Sequence, residues 1–310
     1  MAGLHNVLEF AARYGRWCLI AGLFAGITLP DLAETLRPYL PPMIALLLFL
    51  AAFRIGPDAV LSGLQSDVST LRTVLVYQIG LPLVALGVAS LTGTIGTTAA
   101  IAAILMFAAP SITGSANFAL LMRLRPDSAL RLTMIGTALF PLTVLPILLL
   151  LPELNPSSVL TASARLIGVV FLAGGVAFFL RRGSLKTLNE TQQAKIDGAS
   201  ALLLAIIVVG LMSAVGPLIK TSPLAFIGWA LLCTALNFGT QFLAWKTLAR
   251  SAPPQDRAAH SIVAGNRNVA LFLVALPPEI TNTLLAFIGC YQIPMYLTPI
   301  LFTRLYRSNG

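Results

Sequence analysis

The sequence predicts an all-α membrane protein of ten transmembrane helices, arranged as a 5+5 inverted repeat with the fourth and ninth helices discontinuous. Three observations predict it. Hydrophobic residues make up 57% of the 310 residues and charged residues only 10%, too few to solvate a soluble domain, and apolar runs long enough to cross a bilayer recur along the chain. The second observation is an internal match: Gly114-Ser115-Ala116-Asn117-Phe118-Ala119-Leu120 recurs 151 residues later as Gly265-Asn266-Arg267-Asn268-Val269-Ala270-Leu271, with Gly, Asn, Ala and Leu in register. Ile135-Gly136, Pro141 and Pro146-Ile147-Leu148 likewise return at an offset of 153 as Ile288-Gly289, Pro294 and Pro299-Ile300-Leu301. The third is charge asymmetry. With the N-terminus placed inside, sixteen of the twenty Lys and Arg fall on the inner side and only Arg37, Arg165 and Lys220 on the outer side. Arg267 is left within a span.

In chain order, residues 1–14 read as an amphipathic segment on the inner surface, with Leu4, Val7, Leu8 and Ala11 on one side. Spans follow at 15–33, 38–55, 71–92, 96–122, 128–151, 158–181, 197–219, 223–246, 259–276 and 281–304. The more polar 57–70 is a second interfacial candidate. The basic stretch 182–196 is expected to be the linker between halves, lying on an anionic leaflet. Five spans per half put the repeats at 1–157 and 158–310, which leaves that stretch after the first span of the second half. Ten spans put both termini in the cytoplasm, and an odd number per half inverts one half relative to the other. The first span is expected to act as its own insertion signal in an inner (cytoplasmic) membrane. Trp17, Trp229, Trp245, Tyr39 and Tyr306 read as interfacial aromatics. Cys18, Cys233 and Cys290 have neither metal-site nor disulfide spacing and read as small buried hydrophobes.

Two polar interruptions carry the candidate site. In 109–118, Pro110 removes a backbone donor and disfavours helix at the residue before it, and Gly114 relaxes the backbone. Ser111, Thr113, Ser115 and Asn117 add hydrogen-bonding side chains. The second interruption, 260–270, carries His260, Gly265, Asn266, Arg267 and Asn268. Freed backbone groups at membrane depth are tolerated only against protein or a water-lined cavity, and paired broken helices point to a transporter's substrate site. A tightly packed helix crossing is the competing reading.

Arg267 is the sharpest residue. An arginine near mid-membrane costs about 2.5–3.5 kcal/mol on insertion scales, and every Asp and Glu of the chain maps to span ends or loops. It therefore reads as a fixed counter-charge for an anionic substrate, or as a clamp bonded to freed carbonyls; the two are compatible. His260 is a titratable candidate or simply an interfacial polar residue. Tyr291, Gln292 and Tyr296 are weaker cavity-wall candidates, and the paired prolines of spans five and ten set helix curvature.

At these residues the chain resembles the bile acid:sodium symporter family, part of a wider group that includes arsenite and auxin-type carriers. The resemblance spans the chain in architecture and concentrates at 110–118 and 261–271. It implies a panel of helices 1, 2, 6 and 7 against a core of helices 3–5 and 8–10, with helices 4 and 9 crossing beside the substrate. It also implies that Asn117 and Asn268 are the paired crossing residues. The family's ninth span carries a Glu and, four residues later, a Gln followed by Asn that help bind sodium; here those positions hold Val263, Arg267 and Asn268. Thr133 and Thr137 lie near the hydroxyl-bearing part of the family's sodium site.

The expectation is thus a secondary transporter of a small organic anion, a carboxylate or sulfate, with no cofactor and no nucleic-acid partner, in which Arg267 stands in for bound sodium. A conventional sodium-coupled symporter of the same family is the alternative. An enzyme is disfavoured because only two His are present and no carboxylate lies within a span. A channel is disfavoured because no charge ring or repeated filter is evident.

Overall fold

The computed structural model describes residues 2–58, 68–152, 154–182, 187–250 and 252–307. Among these the chain is helical throughout, and seven helices are long and apolar enough to cross a membrane. It is a multi-pass integral membrane protein.

Helix α1, Ala2–Thr28, contains a non-helical residue at Tyr14 (φ −115°, ψ 22°), so the surface segment and the first apolar run form one kinked helix. Pro30 restarts the chain at an N-terminal position where a proline costs no hydrogen bond: α2, Pro30–Leu36, runs through a tight turn at Arg37–Tyr39 into α3, Leu40–Ile55. The second apolar stretch therefore begins at residue 30, not 38. The interfacial expectation for 57–70 falls mostly outside the described residues. Next come α4, Val68–Leu75, a wide five-residue turn at Val76–Gly80, and α5, Leu81–Leu91. Two short helices, α6 (Thr98–Ala108) and α7 (Ser115–Leu121), flank the first interruption. The long α8, Asp127–Leu149, carries Pro141 and Pro146 without breaking.

Helix α9, Pro156–Arg181, is capped by Asn155, whose side chain accepts from the Ser158 amide at 2.8 Å. The boundary at 157/158 therefore falls inside a first helical turn. Helix α10, Glu190–Leu211, opens on a reciprocal capping box between Asn189 and Gln192. Helix thus already occupies 190–196 of the basic stretch. Then follow α11 (Val215–Thr221), α12 (Pro223–Thr247), α13 (Pro254–Gly265), the short α14 (Phe272–Ala275), α15 (Pro278–Leu301) and α16 (Thr303–Arg307). Helix α15 retains Pro294 and Pro299 inside it.

These elements pack as two groups. Helices α1, α2, α3, α9, α10 and α11 form one, with α1 lying along α10. That contact is close because glycines line it: a Cβ on Gly22 meets the Ala205 carbonyl at 2.5 Å, and one on Gly198 runs into the Leu8 carbonyl. Helices α4–α8 and α12–α16 form the second group, around an apolar centre that includes Leu105, Met106, Phe140, Phe272 and Phe287. Two expected interfacial aromatics belong to this interior. Trp245 and Tyr306 are buried, their ring centroids 5.0 Å apart, and the Arg257 guanidinium lies 3.5 Å over the Trp245 ring. Trp17 and Tyr39 are exposed, as expected of interfacial residues.

Candidate functional site

Helix α6 stops where proline dictates. Ala109 turns extended (φ −60°, ψ 149°) ahead of Pro110, and its amide still closes the last turn onto the Leu105 carbonyl at 2.9 Å. Helix α13 stops at Gly265, whose absent side chain lets α12 come close: a Cβ there runs into Asn237 O and Gln241 Cγ. The two freed strands of backbone satisfy one another. Ser111 lies antiparallel to Arg267, the Ile112 amide donates to Asn266 O at 3.0 Å, and the Asn268 amide donates to Pro110 O at 2.8 Å. Backbone polar groups with no helical partner thus find partners inside protein, as the bilayer interior demands.

The register of this meeting differs from the one the sequence match suggests. Gly114 immediately precedes α7, whereas Gly265 ends α13, so the two glycines occupy different places relative to their interruptions. Ser111, 156 positions before Arg267, takes the place opposite it. Asn117 lies within α7 and is exposed, and it does not pair with Asn268. The two asparagines thus stand at unlike places, Asn268 at the crossing and Asn117 inside the following half-helix.

Arg267 is 2% exposed. Its Nη2 donates to Tyr77 O at 2.7 Å and Phe107 O at 3.2 Å, its guanidinium lies 5.4 Å from the Tyr77 ring centroid, and its Nε has no hydrogen-bond partner among the described residues. Each carbonyl is free for a reason the sequence contains. Phe107 is in the last turn of α6, where carbonyls lack helical donors. In the wide turn the Leu81 amide donates to Val76 O. The next donor in that register is residue 82, a proline, so Tyr77 O is left for the guanidinium. Among the described residues no carboxylate pairs with Arg267, in contrast to Arg37–Glu34, Arg54–Asp197 and Arg125–Asp127. Its partners there are backbone dipoles and a ring face.

A buried polar network fixes the end of α13. Asn237 Nδ2 donates to Gly265 O at 2.6 Å, and Gln241 Nε2 donates to Asn237 Oδ1 at 2.6 Å and to Thr298 Oγ1 at 3.0 Å. Tyr306 donates to Gln241 Oε1 at 3.0 Å, and the Tyr291 hydroxyl donates to Gly265 O. Asn266 belongs to this network, donating to Ile262 O at 2.9 Å and accepting from Thr298 at 3.2 Å. Its amide caps the end of α13. Ser115 is likewise engaged: its Oγ lies 2.6 Å from Ser111 Oγ, which donates to Asn266 O at 3.2 Å. Near α4 and α5, Gln78 spans to α8, donating to Gly136 O at 2.9 Å and accepting from Thr143 at 2.7 Å.

The interruptions therefore bring together Pro110, Ser111, Ser115, Asn266, Arg267 and Asn268, with Thr113 half-buried between the halves of the first break. His260 stands apart, over a turn back along α13 and one turn from Asp256, which accepts from Ser128. Val263 is buried in an apolar cluster with Val74, Ala129, Leu132, Ile135 and Ala259. The partners that sequence reasoning missed are Tyr77, Gln78, Asn237, Gln241 and Thr298. No family model matches the chain, and it has no match among curated proteins.

Proposed function

We propose that this chain is a secondary transporter of a small organic anion, working by alternating access across an inner membrane with both termini cytoplasmic. Ten spans fit this reading. Seven helices qualify as continuous spans, two further spans are the interrupted pairs α6/α7 and α13/α14, and the tenth is the apolar part of α1, whose hydropathy Arg13 and Arg16 lower. The 5+5 inverted arrangement rests on the recurring motifs and on the odd number of spans per half.

One observation carries the functional reading: a fully buried arginine, with no carboxylate partner and no partner for its Nε among the described residues, sits where two broken helices meet. A guanidinium held by two carbonyls retains its whole charge, and an organic carboxylate or sulfate arriving beside it gains a strong charge-assisted contact. Arg267 fills the position where the resembled symporter family holds a sodium ligand, and its carbonyl cradle is of the oxygen kind that a hard cation takes. The guanidinium is then a tethered cation, and transport proceeds without sodium. The test is a panel of carboxylates and sulfates screened for thermal stabilisation of the purified protein. A stabilising anion whose effect disappears in Arg267→Gln, with that variant still inserted and folded, is the expected result; uptake kinetics unchanged in the variant overturn the counter-ion role.

Sodium-coupled symport is the second reading, and one observation favours it: the Thr133 hydroxyl is buried and has no partner among the described residues. A saturable, sodium-specific stabilisation of the unmodified protein, absent with choline, selects that reading.

A further inference from the structure

We propose that the structure holds the inward-facing state and that Arg37, bonded between Glu34 and Asn282, is a latch keeping the outer face shut. The inference rests on the transport reading above, but its observations are separate. Taking the Lys- and Arg-rich side as inner, the contacts between the two helix groups gather on the outer half. Helix α14 packs on α3 and α9, and α11 packs on α15. Gly289 of α15 comes so close that a Cβ there meets Leu211 O at 2.7 Å and Val215 Cγ2 at 2.5 Å. At the outer rim, Arg37 Nη1 lies 3.2 Å from Glu34 Oε1 on its own side, and Nη2 donates to Asn282 Oδ1 of α15 at 2.8 Å.

On the inner half the polar contacts among the described residues stay within a group. Arg54 pairs with Asp197 at 2.8 Å inside the first, and Arg307 Nε donates to Met122 O at 2.8 Å inside the second. Half-helix α7, on the inner side of the first break, packs on α8, α13 and α15, all of its own group. Its remaining face, Asn117, Leu120 and Leu121, is exposed, and Asn117 has no hydrogen-bond partner among the described residues. A carboxamide at that depth facing lipid is strongly disfavoured. The face therefore lines a water-filled opening toward the inner side, and Asn117 is offered to the crevice rather than to the crossing.

The latch is exposed at the rim and correspondingly weak. An exposed charged contact shifts a two-state ratio by about five-fold, enough to bias the two faces without freezing them. Two cysteine reporters test this, in a background with Cys18, Cys233 and Cys290 replaced by Ser and in vesicles of known sidedness, using a membrane-impermeant maleimide. Leu121→Cys reports the inner opening. Val215→Cys, buried against Gly289, reports parting of the outer contact. Leu121→Cys is expected to label from the inner side only. Arg37→Ala and Asn282→Ala are each expected to raise outer-side labelling of Val215→Cys about five-fold, the double variant no further, and Asn282→Asp, which gives Arg37 a carboxylate, to lower it. Opposite shifts from two substitutions at one position separate a latch from a folding defect. Failure of Leu121→Cys to label from inside overturns the inward-facing assignment, and an unchanged Val215→Cys rate across the series overturns the latch. Labelling that behaves as described, without flux of any anion, retains the latch and refutes transport.

Discussion

Removing the side chain of Arg267 separates a structural clamp from a tethered cation. Arg267→Ala leaves Tyr77 O and Phe107 O buried without their donor. Each unsatisfied carbonyl costs about 1–3 kcal/mol, so about 2–6 kcal/mol is lost, less whatever the buried guanidinium itself cost. What remains is an oxygen-lined vacancy beside the Tyr77 ring. If the guanidinium occupies a cation's place, a free monovalent cation restores stability by mass action, about 2.7 kcal/mol at a hundredfold excess over its dissociation constant. The assay is thermal unfolding in detergent, with sodium or low-millimolar guanidinium replacing choline at constant ionic strength and fixed anion. The unmodified protein is expected to be indifferent and the variant to rise saturably. A variant insensitive to both cations, or an unmodified protein that responds to sodium, refutes the surrogate argument.

Other consequences follow from the same geometry. Pro82→Ala supplies the missing amide that competes for Tyr77 O, so it is expected to weaken anion binding by about 1 kcal/mol, roughly five-fold, with little change in thermal stability; unchanged affinity breaks the link between the wide turn and Arg267. Gly265→Ala drives a Cβ against Asn237 O and Gln241 Cγ, and a loss of about 1–3 kcal/mol in detergent unfolding is expected. Ser115→Ala removes one bond to Ser111, costing about 0.5–1.5 kcal/mol, and leaves anion flux intact; abolished flux with retained fold contradicts a purely packing role for Ser115.

Much of the site was legible because its residues break local rules. Pro110 ends a helix by chemistry alone, and an arginine in a carboxylate-free membrane interior must find oxygen. The carbonyls that hold it were not legible as side chains, although Pro82, two positions past the wide turn, was the available sign. Asn237 and Gln241 also had a signal, two amides one turn apart in an apolar helix, which intramembrane cost marks as purposeful. The repeat register misled because small residues matched in sequence while serving different ends: Gly114 precedes a helix and Gly265 closes one. Trp245 and Tyr306 resembled belt aromatics because they lie near helix ends, yet Arg257 and their mutual ring contact hold them inside. Position along a span does not reveal which face a residue takes; that is decided by neighbouring helices.

The central claim, sodium-independent carriage of an anion next to Arg267, is tested most directly by counterflow in sodium-free proteoliposomes. Vesicles are loaded with an unlabelled carboxylate found to stabilise the protein, and the labelled compound is supplied outside. Saturable accumulation without sodium, lost in Arg267→Gln, is the result this account predicts. Counterflow that requires sodium, or that persists undiminished in Arg267→Gln, contradicts it.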